Sequence, residues 1–404
     1  MEKDVLEQQD RLWTKNFISI SVVNFVLMLS MYLLLVTIAT YAAEKYGVST
    51  STAGLISGIF IIGSLIGRLY AGKQIAAVGN KKMLITGITI VVIMTAFYFI
   101  PGSIALLFFV RLVHGVGLGI ATTSTGTIVS QVIPKSRNGE GIGYFSLSTV
   151  LATAIGPLIG ILLMGSVGFT SIFIFSFVVG ALSLIFGLLI TVPQVKSAAK
   201  SAGGSESHRF KLSRFFEPKA LPISIAVLVI GFAYSSVLSF ITAYAADIHL
   251  VKTGSLFFLA YAIAALLSRP FTGKLIDRRG GNSVAYPALI IFAVGMLVLS
   301  QAHSSIVILL AAALIGLGNG NFQSCSQALA VRAIPRHRMG LANSTYFIFL
   351  DLGLGFGPFA LGYLVPELGY RGLYLALVGV IVAGIGVYYV LHGRKDKALT
   401  AANG

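Results

Sequence analysis

Charge is scarce in this sequence. Only 10% of its 404 residues are Asp, Glu, Lys or Arg, where soluble domains carry about 25%. With 56% hydrophobic residues and a mean hydropathy of +0.91, a water-soluble globule is excluded. Acids are scarcer than bases, 13 against 29, which leaves a net charge of +16. A basic excess can signal nucleic acid, but here the bases sit in alternate loops and form no single patch, so no nucleic-acid partner is expected. Cysteine is almost missing: Cys325 alone forms no disulfide within the chain. The first ten residues hold Glu2, Asp4, Glu7 and Asp10, the wrong charge for a secretory leader. An intramembrane enzyme needs clustered His, Asp or Glu. The apolar runs contain Asp351 and His114 but no cluster, so catalysis, a cofactor and a metal are not expected.

What the chain has in quantity is long apolar runs. A hydrocarbon core about 30 Å thick needs roughly 20 apolar residues per helix. Twelve runs qualify: 17–41, 51–71, 83–100, 104–128, 139–164, 170–191, 221–244, 254–273, 283–302, 305–328, 340–365 and 370–391. Lys and Arg gather on one side of this zigzag, at Lys3, Arg11 and Lys15, then Lys73, Lys81 and Lys82, then Lys135 and Arg137. Lys274, Arg278 and Arg279, then Arg332, Arg336 and Arg338, and the tail from Arg394 lie on the same side. The other side receives only Lys45, Lys252 and Arg371. That contrast predicts both termini in the cytoplasm and an even number of crossings of the cell membrane.

The chain is also written twice. Ile133-Pro134-Lys135-Ser136-Arg137 returns as Ile334-Pro335-Arg336-His337-Arg338, 201 positions on. Gly156-Pro157 returns as Gly357-Pro358, and Arg68 as Arg269, at the same offset. The expected fold class is an all-α polytopic membrane protein, twelve transmembrane helices in two pseudo-symmetric six-helix bundles. The expected domains are 1–191, a cytoplasmic linker at 192–220, and 221–404. In the linker, Phe210, Leu212, Phe215 and Phe216 alternate with Arg209, Lys211 and Arg214. That pattern predicts a tether with a helix lying on the inner leaflet.

Three motifs carry chemistry. Gly273-Lys-Leu-Ile-Asp277-Arg278-Arg-Gly280 lies in the loop after span eight, and its first-half copy reads Gly72-Lys-Gln-Ile-Ala76-Ala77, without the acid. Arg111-Leu-Val-His114-Gly115 lies in span four. Burying such a charge in a membrane helix costs roughly 2.5–3.5 kcal/mol, which calls for a partner or an aqueous cavity. Gly156-Pro157 bends span five, with small residues one turn to either side. Gly67-x-x-x-x-Gly72-Lys73 imitates a phosphate loop, but Gln74 stands where Ser or Thr is needed and no strand precedes it.

In these motifs and over its full length the chain resembles the major facilitator superfamily, closest to the twelve-span drug:proton antiporters. The resemblance implies a proton-coupled secondary transporter that exports a small organic molecule, acting as a monomer in the lipid bilayer. It implies that Asp277 latches against the start of span five near Gly139, with Gly273, Arg278 and Gly280 shaping the loop. Glu140 is placed to compete for Arg269 or Arg278. Arg68, Arg269, Gly156, Pro157, Gly357 and Pro358 complete the gating set. The resemblance also implies that Arg111 takes part in proton transfer by tuning a nearby carboxylate. Asp351, the one acid deep in a span, is by its own burial a candidate to load and release protons, with Glu140 also in the proton-coupling set. A salt bridge from Asp351 to Arg68 is the competing role. The implied cavity is lined by spans one, four, seven and ten, which offer Asn24, Tyr32, Arg111, His114, Tyr234, Asn319, Asn321 and Gln323, with Tyr346 nearby. The run Gly316-x-Gly318-Asn319-Gly320 is expected to loosen its helix. An anionic or zwitterionic cargo such as a metal-chelating metabolite, or proton-coupled uptake, are the alternatives.

Overall fold

The computed structural model describes residues 11–48, 50–100, 102–192, 215–332 and 334–394. The inner-leaflet helix expected of the linker falls on 193–214 and lies outside the described residues, apart from the end at Phe215 and Phe216. Among the described residues, twelve helices are long and apolar enough to cross a membrane. They are α1 (Lys15–Tyr46), α2 (Thr50–Val78), α3 (Asn80–Phe97), α4 (Ile104–Val132), α5 (Asn138–Ser166) and α6 (Phe169–Leu189). The second set is α7 (Leu221–Asp247), α8 (Val251–Arg279), α9 (Asn282–Ser300), α10 (Ser305–Arg332), α11 (Met339–Gly362) and α12 (Val365–Tyr388). Large apolar side chains such as Ile306, 79% exposed, and Phe271, 74% exposed, point outward, as a lipid-facing surface requires.

Helix ends are set by local chemistry. Thr14 and Ser103 cap α1 and α4, accepting from the N–H groups of Phe17 and Leu106. Gly47 closes α1 with a left-handed φ of 63°. Pro222 and Pro366 open α7 and α12, where a missing N–H is harmless. Several helices outrun the apolar stretches that announce them. The expected ends at 71 and 273 extend to Val78 and Arg279, because charged residues continue a helix readily once it leaves the lipid. Conversely, Gly369 breaks the first turn of α12 with a φ of 62°.

The chain divides into two compact units. One comprises Met1–Pro134, Leu151–Glu217 and Ile334–Ile348; the other comprises Lys135–Val150, Pro218–Ala333 and Phe349–Gly404. In the first, α2 and α4 touch backbone to backbone. A side chain at Gly115 would collide with the Phe60 carbonyl, and one at Gly63 with that of Leu112. Gly67 and Gly119 repeat the arrangement one turn further along. Small residues at this spacing let helices approach where lipid supplies no hydrophobic drive.

In the second unit α10 is not a continuous α-helix. It carries a π-helical turn at Gly316–Gly320, which is the loosening that the glycine run predicts. A Cβ on Gly318 would lie 2.6 Å from the Phe292 Cα of α9, so the turn is wedged against its neighbour.

Candidate functional site

The close α2–α4 contact places Arg111 inside the first unit, 1% exposed. Its Nε donates to the Ile56 carbonyl at 3.4 Å, and Nη1 to the Tyr98 hydroxyl, also at 3.4 Å. The guanidinium lies 4.3 Å from the Phe60 ring centre, a cation–π contact strengthened by burial. His114, also 1% exposed, meets the same Tyr98 hydroxyl through Nδ1 at 3.1 Å. Arg111 Nη2 is buried with no hydrogen-bond partner, and no carboxylate pairs with this side chain among the described residues. Sequence reasoning missed Tyr98, which sits just beyond α3 and carries no motif. With Tyr41, Tyr46, Ser103 and Leu107 it lines a small crevice of about 10 Å³.

The other predicted residues of this unit are held in place by helix contacts. Asn24 accepts from the Thr125 hydroxyl at 2.9 Å, tying α1 to α4. Tyr32 packs over Gly156 of α5, next to Pro157. Arg68 donates to the Thr122 hydroxyl at 3.0 Å and lies 4.7 Å from the Phe347 ring. Tyr346, fully buried, meets Phe347 edge to face at 5.3 Å.

In the second unit Tyr234, Asn319 and Gln323 line one narrow crevice of about 10 Å³, room for little more than a water. Tyr234 stacks on Tyr261 at 5.7 Å, and Asn319 donates to the Tyr261 hydroxyl at 3.1 Å. Asn321 is spent elsewhere. Its amide donates to Ser268 Oγ and the Leu317 carbonyl, and its oxygen accepts from Thr272. It is therefore a bolt between α8 and α10. Arg269 donates to Ser324 and to the Gly320 carbonyl at 3.1 Å, a carbonyl of the π turn. Asp351 stands half-buried in α11. Gly357 packs on Ser235 and Phe232 of α7, with Pro358 next to it.

Asp277 meets the start of α5. Its two oxygens accept from the N–H groups of Gly139, at 2.6 Å, and Glu140, at 3.0 Å. A carboxylate there satisfies orphan donors and complements the helix dipole. Glycine permits the approach on both sides. A Cβ on Gly273 would meet the Glu140 Cα at 2.6 Å, and one on Gly139 the Ile276 Cβ at 2.7 Å. Gly280 turns the chain with a φ of 80°, and Arg278 points outward. The Glu140 carboxylate pairs with Arg137 at 2.8 Å, not with Arg269 or Arg278 as expected. Arg137 lies only one helical turn away and needs no long-range alignment.

The Major Facilitator Superfamily sequence profile matches residues 20–358 and again 252–404. An uncharacterized MFS-type transporter of Methanocaldococcus jannaschii is 26% identical over 383 residues, 93% of this chain and 97% of that protein. One from Burkholderia mallei is 27% identical over 396 residues, covering 95% and 94%. Among solved structures, the human organic anion transporter MFSD10 superposes with a TM-score of 0.73 at 15% identity, over 93% of this chain and 99% of that one. The transporter FucP in its outward conformation gives 0.70 at 15%, over 94% and 99%. The twelve apolar helices, the duplicated sequence and a profile match that spans both copies lead to one conclusion: this chain belongs to the Major Facilitator Superfamily and is a multi-pass membrane transporter.

Proposed function

We propose that the chain exports a small organic molecule in exchange for protons, by alternating access of two six-helix halves, 1–191 and 221–404, tethered by 192–220. It works as a monomer in the cell membrane with both termini in the cytoplasm, a placement supported by the Lys and Arg asymmetry of its loops. The observation that carries the reading is Arg111, buried with one amino group unpartnered and, among the described residues, no carboxylate to neutralise it. Such a charge is costly at this depth and marks a substrate or proton pathway. Asp351 takes and releases the proton, while Tyr234, Asn319 and Gln323 form the cargo surface of the second half.

The same unneutralised Arg111 favours an anionic or zwitterionic cargo, metal-chelating metabolites included, over lipophilic cations. A likeness in fold to a human organic anion transporter is consistent with that preference. Proteoliposomes holding the pH-sensitive dye pyranine test both points. A fluorescent organic anion and the cation ethidium are each offered under an imposed pH gradient. The anion is expected to exchange for protons in the wild type, with coupling lost in Asp351→Asn and transport lost in Arg111→Ala. Normal coupling in both variants would reject the pathway, and a response to ethidium alone would reject the anion preference. Proton and cargo moving in the same direction would show uptake.

A further inference from the structure

The two copies of the gating loop differ where it matters. In the second copy two acids serve the start of a helix: Asp277 caps the α5 amides and Glu140 holds Arg137. In the first copy both positions are apolar, since Ala76 stands for Asp277 and Leu341 for Glu140. The packing around them is nevertheless retained. Gly340 faces Ile75, as Gly139 faces Ile276, and Gly72 lies against Ser344 and Leu341, as Gly273 lies against Glu140. The α11 start thus has the contact without the electrostatic clasp.

A third acid comes from outside the repeat. Glu217, at the end of the linker and 4% exposed, pairs with Arg338, the counterpart of Arg137, at 2.5 Å. The Glu217 N–H donates to the Thr345 hydroxyl at 2.9 Å, and Thr345 is bonded within α11 to the Leu341 carbonyl. Two residues earlier, the Phe215 ring lies 5.6 Å from Lys73 Nζ, near the end of α2. Three contacts of different kinds therefore seat residues 215–217 on both partners of the first-copy interface.

We propose that the end of the linker is the latch of the first copy, a strap whose Glu217 does for the start of α11 what Asp277 and Glu140 do for the start of α5. The inference extends the gating part of the transport reading. It makes the tether a moving part, because α11 can leave α2 only when residues 215–217 let go. The ion pair is half exposed on its Arg338 side, 39% against 5% for Glu217, so it holds strongly enough to define a state and weakly enough to break.

Amide hydrogen exchange on the full-length protein in lipid nanodiscs tests this without substrate or pH gradient, so the outcome stands whether or not the transport reading holds. Glu217→Gln is expected to speed exchange in residues 343–348 by roughly fivefold and to leave 142–147, the Asp277-capped counterpart, unchanged. Adding Ala76→Asp should restore slow exchange, because it rebuilds the missing cap. Arg338→Gln should match Glu217→Gln, and the double variant should add nothing. Wild-type exchange in Glu217→Gln, a rise in both segments, or no rescue by Ala76→Asp would each overturn the proposal.

Discussion

Replacing Asp277 with Asn removes a charge while keeping the side-chain shape. The native carboxylate accepts two backbone N–H bonds, at 2.6 and 3.0 Å. Hydrogen bonds to a charged group contribute about 1.5–3 kcal/mol each, and a charge at a helix N-terminus adds about 0.3–1 kcal/mol. Asn keeps one acceptor oxygen, so one bond and the dipole term are lost, roughly 2–4 kcal/mol. The half-buried setting screens part of this and leaves about 1.5 kcal/mol, or tenfold in a two-state equilibrium. Ala, which loses both bonds, should shift it further. Electron–electron distance measurements between spin labels at the exposed Lys82 and Arg279 report the populations directly. Asn is expected to move their ratio about tenfold toward the state in which Asp277 is undocked. If Asp277→Ala left the distance distribution as in the wild type, the clasp would carry no conformational energy and the reasoning would fail.

Two further outcomes follow from the packing. Tyr98→Phe deprives both Arg111 and His114 of a partner in a buried site. The loss is expected to cost about 1–3 kcal/mol and to lower the melting midpoint by a few degrees, with an unchanged midpoint counting against the network. Gly115→Leu drives a side chain into the Phe60 carbonyl, where overpacking costs about 1–3 kcal/mol or more. It should abolish the native elution peak in size-exclusion chromatography, whereas Gly379→Leu, at a position with nothing nearby, should not.

The fold was legible because lipid imposes a simple rule: outside a closed β-barrel every crossing must be a helix, apolar for about 20 residues. That rule locates twelve elements but says little about their ends, which is why α2 and α8 run past the expected limits. The family resemblance supplied the docking of Asp277 on a helix start, and the 201-residue repeat carried it to Gly139. Sites made by residues distant in sequence were harder to see. Nothing in the string ties Tyr98 to Arg111, because their meeting depends on how closely α3 packs on α4, where Gly87 meets the Ala121 backbone. Asn321 shows the opposite error: a polar residue in the right helix is engaged in fastening that helix to its neighbour. Glu217 looked like part of a tether because composition reports flexibility and says nothing of docking.

The π turn of α10 has one more effect. Gly316, Gly318 and Gly320 match Gly115, Gly117 and Gly119 in α4, yet only the later set is wound as a π turn, with hydrogen bonds reaching five residues on. A single widened turn rotates everything beyond it by about one residue, roughly 100° around the axis. The arginine contacts record that rotation. Arg68 bonds Thr122, but Arg269 bonds Ser324, one place past the strict match at Gln323. Released from that duty, Gln323 reaches the crevice wall. Gene duplication handed both halves the same polar ladder, and one slipped rung was enough to give them different faces.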